Sequence, residues 1–153
     1  FVDGRSLRLP GIVVRPPNPN GALSAFNSDI IREPLAGRPI VAPVSPHGTT
    51  WLMSVAQCAQ NFVHAMQSPA RDWRHQRAIQ LPAVTASIEE IVDAVSRAAG
   101  RDVRSLVTYA PDPRIEPMFA RWPRALTTAR ADALGFRADP SLDAIVATAR
   151  QRD

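Results

Sequence analysis

A chain of 153 residues with 45% apolar and 21% charged residues can bury a real core as one globular unit. Its single cysteine, Cys58, excludes an internal disulfide and fits a reducing cytoplasm, and no apolar run approaches the ~20 residues that span a bilayer. All 18 basic residues are arginine and the net charge is only +4, so the isoelectric point near 10.8 reflects arginine's persistent proton. The arginines run from Arg5 to Arg152 with neither a basic run nor interleaved aromatic rings, and their densest group, Arg71, Arg74 and Arg77 around Asp72, reads as a solvated loop, which argues against nucleic acid as a partner.

Residues 7–14, Leu-Arg-Leu-Pro-Gly-Ile-Val-Val, predict a buried strand almost at the start of the chain. Such a strand needs neighbours for its two rows of hydrogen-bonding groups, so the chain reads as the back half of something larger. The proline-rich run at 16–20 predicts an extended loop. Leu23, Phe26, Ile30 and Ile31 fall close to a helical stripe over 21–32, with Ser24 and Asn27 on other faces. Pro34 suits the first turn of a short following helix, which Gly37 ends. Ile40, Val41 and Ala42 are extended, and residues 45–50 form a polar turn.

Trp51, Leu52 and Met53 predict a short strand running into a helix over 54–67. Val55, Phe62, Val63 and Met66 recur with Cys58 at helical spacing, which reads as a buried structural thiol. A loop at 68–76 and a strand at 78–81 follow. Ser87 and Glu90 form a capping box for a helix carrying Ile88, Ile91, Val92 and Val95, stopped by Gly100. Residues 103–109 predict a strand, 118–121 a helical piece, and 129–134 and 141–150 two closing helices. Strands separated by helices make the chain α/β and favour parallel pairing.

The runs Phe1-Val2-Asp3-Gly4-Arg5-Ser6-Leu7-Arg8-Leu9-Pro10, Val13-Val14-Arg15-Pro16 with Asn18 and Asn20, Ile30-Ile31-Arg32-Glu33-Pro34-Leu35-Ala36-Gly37, and Ala133-Leu134-Gly135-Phe136-Arg137-Ala138-Asp139 together carry a likeness. The chain resembles the C-terminal half of the extended short-chain dehydrogenases/reductases, the NAD-dependent epimerase/dehydratase superfamily, and is nearest to their sugar-acid oxidoreductases. The resemblance implies that 1–16 holds the last strand region of a Rossmann sheet and 17–153 mainly a substrate domain, with a helix returning to the sheet. It implies NAD or NADP as cofactor, held mostly by an absent N-terminal half. The Gly-rich phosphate turn is missing, and without lysine no Tyr-x-x-x-Lys pair exists, so no catalytic residue is assigned and the fragment is expected to be inactive. Pro16-Pro17 also departs from the Pro-Gly of the family.

By the same resemblance Leu9, Pro10 and Val13 border the nicotinamide end. The carboxylate of a small sugar acid calls for arginine donors and its hydroxyls for amide or hydroxyl partners, which makes Arg15, Asn18, Asn20, Ser24, Arg32 and Thr50 the candidates. Each has a plainer role open to it. Arg15 can cap a strand or pair with Asp29, Arg32 can complement a helix end beside Glu33, and the asparagines can serve turns. Trp51 reads as core and His64 as helix surface. His47, in the polar turn, is the one histidine worth testing, and the three histidines lack metal-ligand spacing. Two other functions stay open: a nucleotide-sugar epimerase or dehydratase of the same superfamily, or a non-catalytic binding module whose strand 7–14 is covered by a partner chain or by self-association into a homo-oligomer.

Overall fold

The computed structural model describes residues 2–16, 25–73 and 76–150. The expected strand 7–14 is two strands, β1 (Ser6–Arg8) and β2 (Gly11–Val13), parted at Leu9-Pro10. Proline has no amide to donate to a ladder, and the two strands take different partners: β1 pairs in parallel with β5 (Ala78–Gln80), β2 with β4 (Thr49–Ser54). β2 is followed by Val14, whose φ of 59° is left-handed, a costly conformation for a β-branched residue. The chain is thereby turned out of the sheet toward Arg15 and Pro16.

Helix α1 (Phe26–Leu35) lays Phe26, Ile30 and Ile31 inward. Pro34 does not start a new helix but closes this one, within its last turn. Gly37, at φ +78°, then lets the Arg38 amide return to the Glu33 carbonyl at 2.8 Å. β3 (Ile40–Ala42) follows and pairs in parallel with β7 (Val107–Tyr109). The expected strand over 103–109 is shortened to β7 because Arg104–Leu106 forms a single tight 3-10 turn. Thr49 and Thr50 belong to β4, not to the polar turn before it.

Ser54 caps helix α2 (Val55–Gln67) by accepting from the Gln57 amide at 3.1 Å. The buried side of α2 is Cys58, Asn61 and Ala65; Phe62, Val63 and Met66 lie exposed, contrary to the expected stripe. One turn of helix, α3 (Ala70–Trp73), interrupts the predicted loop and buries Trp73. β6 (Val84–Ser87), not anticipated from the sequence, pairs antiparallel with β4, so the central sheet β2–β4–β6 is mixed.

Helix α4 (Ile88–Ala99) follows its expected capping box. Ser87 Oγ accepts from the Glu90 amide at 3.2 Å, Glu90 Oε2 accepts from the Ser87 amide at 2.6 Å, and Gly100 ends the helix at φ +65°. The chain closes with α5 (Glu116–Ala120), α6 (Ala129–Ala133) and α7 (Leu142–Arg150). Two apolar clusters result. The larger joins α1, α4 and α7 to the central sheet through Ile30, Ile31, Leu52, Ile88, Ile91 and Ile145. The smaller gathers Met53, Cys58, Trp73, Ile79, Leu81 and Phe136 beneath α2. No helix among the described residues is long and apolar enough to cross a membrane.

Candidate functional site

In a parallel sheet, ligands lie beyond the carboxyl ends of the strands, where loops diverge to different partners. β1 and β2 diverge at Leu9-Pro10. Leu9 is 44% exposed at this point, whereas Pro10 is buried and Val13 is fully buried in the larger core. Of the three residues expected along the nicotinamide wall, only Leu9 therefore presents surface. Immediately after it, Gly11 lies so close to β4 and α1 that a Cβ there would sit 2.9 Å from the Trp51 carbonyl and 3.2 Å from Asn27 Nδ2.

That close approach buries a polar pair. Asn27, on α1, donates to Thr50 Oγ1 on β4 at 3.3 Å, and both side chains are withdrawn from solvent. Asn27 Oδ1 and the neighbouring Ser28 Oγ are buried with no hydrogen-bond partner among the described residues. Thr50 was expected to contribute, but Asn27 and Ser28 were not. In the sequence they are two polar residues between Phe26 and Ile30, and nothing local distinguishes them from a solvated face.

The arginines lie farther along α1. Arg32 is held on three sides, by Asp29 at 2.6 Å, Glu33 at 3.1 Å and the Arg15 carbonyl at 3.2 Å. Asp29 thus pairs with Arg32 rather than with Arg15, which is half-buried. Glu33 also accepts from Arg38 at 2.6 Å; that bond, with help from Arg32, holds its carboxyl below the ordinary range against the opposing cost of burial. The geometry gives Arg32 a role in fixing the end of α1 against the loop after β2. Asn18, Asn20 and Ser24 lie outside the described residues.

The remaining candidates have structural work. His64 is no free surface group: its Nε2 lies 2.7 Å from the Leu134 carbonyl and its ring meets Phe136 edge-on at 5.0 Å. His47 is exposed, 3.9 Å from Glu89. Trp51 donates to the Pro123 carbonyl at 2.9 Å and leans on Trp122 at 5.1 Å. Burial pushes the Cys58 thiol up, which disfavours the reactive thiolate. Tyr109 is likewise raised, by burial first and then by Glu89 and Asp93, the opposite of what a phenolic base requires. Asp139 accepts from the Ser54 amide at 2.8 Å and so ties the last loop to the start of α2.

No family model matches the chain. It is 39% identical over 146 residues to the D-erythronate dehydrogenase of Cupriavidus necator, an alignment covering 95% of the chain and 45% of that protein. The Haemophilus influenzae protein of the same name is 35% identical, with 95% and 46% covered. The crystal structure of a nucleoside-diphosphate-sugar epimerase from Agrobacterium tumefaciens matches with a TM-score of 0.88 at 30% identity, over 99% of the chain and 44% of the epimerase. The chain thus spans less than half the length of these relatives. Sequence and fold agree in this likeness: over nearly its whole length the chain is similar to under half of a dehydrogenase or epimerase of the extended short-chain dehydrogenase/reductase type.

Proposed function

We propose that these residues are the C-terminal, substrate-side part of a nicotinamide-dependent oxidoreductase that acts on a short sugar acid such as D-erythronate. The carrying observation is the 39% identity to D-erythronate dehydrogenase, sustained over 95% of the chain. Residues 1–16 would complete the edge of a Rossmann sheet and 17–153 would form most of the substrate domain. The chain's own chemistry agrees with a supporting part. It has no lysine to pair with a tyrosine, its single tyrosine is raised in pKa, and its single cysteine is buried.

NAD or NADP would be held mainly by the preceding half, and when bound it would supply the hydride acceptor. Leu9 offers the apolar surface at the divergence of β1 and β2 against which a flat ring can rest. Asn27 and Thr50 sit beside that point with their polar groups withdrawn from water, as a small polyhydroxylated substrate requires. A cytoplasmic location fits a soluble dehydrogenase with one reduced cysteine, and a homo-oligomer would cover further apolar surface.

The test is to express the polypeptide with the half that precedes residue 1 and follow NAD(P)H formation with D-erythronate. Turnover by the longer polypeptide and none by the 153 residues alone is the expected result. Absence of turnover, together with conversion of a nucleoside-diphosphate sugar, would replace this function with the epimerase alternative, which the close superposition on the epimerase fold favours. If neither class of substrate is converted, a non-catalytic binding module takes their place.

A further inference from the structure

Resting on the sugar-acid dehydrogenase function just given, we infer that Arg32 is a positioning residue: it holds the strained turn at Val14, and with it the course of the chain at the carboxyl end of β2. Among the described residues Val14 is the one residue other than glycine with a positive φ, at 59°. A β-branched side chain crowds its own backbone there, and such a conformation persists only where its surroundings impose it. Two restraints act here. The Val14 side chain is buried in the same core as Phe26 and Ile30 of α1. The next carbonyl, that of Arg15, accepts from Arg32 Nη1 at 3.2 Å.

Arg32 is arranged to hold the chain and not to take a ligand. Its guanidinium is shared out, Nη1 to the Arg15 carbonyl, Nη2 to Asp29 at 2.6 Å and Nε to Glu33 at 3.1 Å. The planar fork fixes these three acceptors relative to one another. Two carboxylates already surround its one positive charge, so a substrate carboxylate arriving there would meet Asp29 and Glu33 as like charges. Glu33 is tied in turn by Arg38 at 2.6 Å, which stiffens the end of α1 from which Arg32 reaches. The place matters because β2 and β4 run parallel, with Val13 opposite Ser54, and ligands of parallel strands lie beyond their carboxyl ends. Val14 and Arg15 are the first residues past that end of β2. Released from Arg32, valine's own preference is an extended φ, which would carry Arg15 on along the sheet instead of out of it.

The experiment places Arg32→Gln, Val14→Gly and the two together in the longer polypeptide, with D-erythronate and NAD(P) as probes. Arg32→Gln is expected to raise the KM for the acid roughly ten-fold, the scale of one lost charge-assisted hydrogen bond, with kcat and the KM for NAD(P) unchanged. Glycine takes a left-handed φ unaided, so in the Val14→Gly background the same change should raise that KM no more than about two-fold. Arg38→Gln, which loosens Glu33 without touching Arg15, should leave it unaltered. Thermal melting reads the same coupling without turnover. Arg32→Gln should cost fewer degrees in the Val14→Gly background, and Val14→Gly should melt no lower than Val14→Ala although it removes more of the side chain. A KM rise undiminished by Val14→Gly, equal melting losses in the two backgrounds, or a lower melting point for Val14→Gly than for Val14→Ala overturns this inference alone. Arg32 would then touch the acid itself or serve only α1. Failure of the unaltered polypeptide to turn over or bind D-erythronate overturns the function on which it rests, and melting still decides whether Arg32 holds the turn.

Discussion

The core that α1, α4 and α7 build on β2–β4–β6 and the one under α2 both bury their own residues fully, but the helix over the second turns an apolar face outward. In the first, Ile30, Ile31, Leu52, Ile88, Ile91 and Ile145 are all fully buried, each contributing roughly 1.5–3 kcal/mol by the usual measure of apolar transfer. In the second, Trp73 and Phe136 meet edge-on at 5.8 Å and Arg5 stacks on Trp73 while bonding Asp3 and the Ala65 carbonyl. Yet the outer side of α2 leaves Met66 82% exposed, with Phe62 and Val63 near half, and β1 pairs only with β5 among the described residues. A sheet with an open, unprotected edge is a site for further strands. The two regions differ in their outer surfaces rather than in their cores: among the described residues, only the flank of α2 carries a cluster of exposed Phe62, Val63 and Met66.

Breaking the larger core should have the largest effect. Ile91→Ala is expected to lower the unfolding free energy by about 2–5 kcal/mol in urea, because it opens a cavity between helices that cannot collapse. Phe136→Ala should instead loosen the flank, with faster amide exchange at Ser6–Arg8 and Ala78–Gln80 and none in α4. If both variants unfold as one cooperative unit with equal loss of protection, the division between the regions does not hold. Gly11→Ala tests their seam. A methyl group there strikes the Trp51 carbonyl backbone, and a loss of about 1–3 kcal/mol is expected by differential scanning calorimetry.

The capping box of α4 gives a smaller and pH-dependent effect. Ser87→Ala should cost about 1 kcal/mol at neutral pH. Glu90 is held below its ordinary pKa, chiefly by the Ser87 amide with Arg124 assisting, and against some burial cost. A carboxyl lowered on folding stabilises the charged form. Its contribution is therefore complete above the ordinary glutamate value of about 4.3 and vanishes as pH falls through the lower folded value. Wild type and Glu90→Gln should converge in acid, whereas Ser87→Ala, which keeps the residue-87 amide and loses only the serine cap, should keep its deficit; a pH series of denaturation midpoints would check both. Smallest of all, Met66→Glu is expected to change stability by no more than about 0.5 kcal/mol while reducing self-association of the chain in sedimentation.

Local chemistry made the larger core legible and left the flank of α2 obscure. Helix α4 could be bounded to a residue, because a capping box and a positive-φ glycine are local signals. β6 escaped notice because its four residues end in the serine that caps that helix. The break at Leu9-Pro10 and the exposure of Phe62, Val63 and Met66 depend on which strands and which partner surface lie nearby, and spacing along the chain does not carry that. The same holds for the site. Asn27 reads as one polar residue on a helix, and its bond to Thr50 and closeness to Gly11 arise only once α1 packs on β2 and β4. Arg32, which looked like a carboxylate fork, is bound by Asp29, Glu33 and the Arg15 carbonyl.

Amide hydrogen exchange at β1, compared between the 153 residues alone and the polypeptide with its preceding half, tests the central claim most directly. In the short chain the β1 amides that do not face β5 should exchange within the dead time, and in the longer polypeptide they should become protected along with the exposed side of α2. Protection already present in the short chain, or unchanged exchange in the long one, would contradict the proposal that a preceding segment packs on this flank.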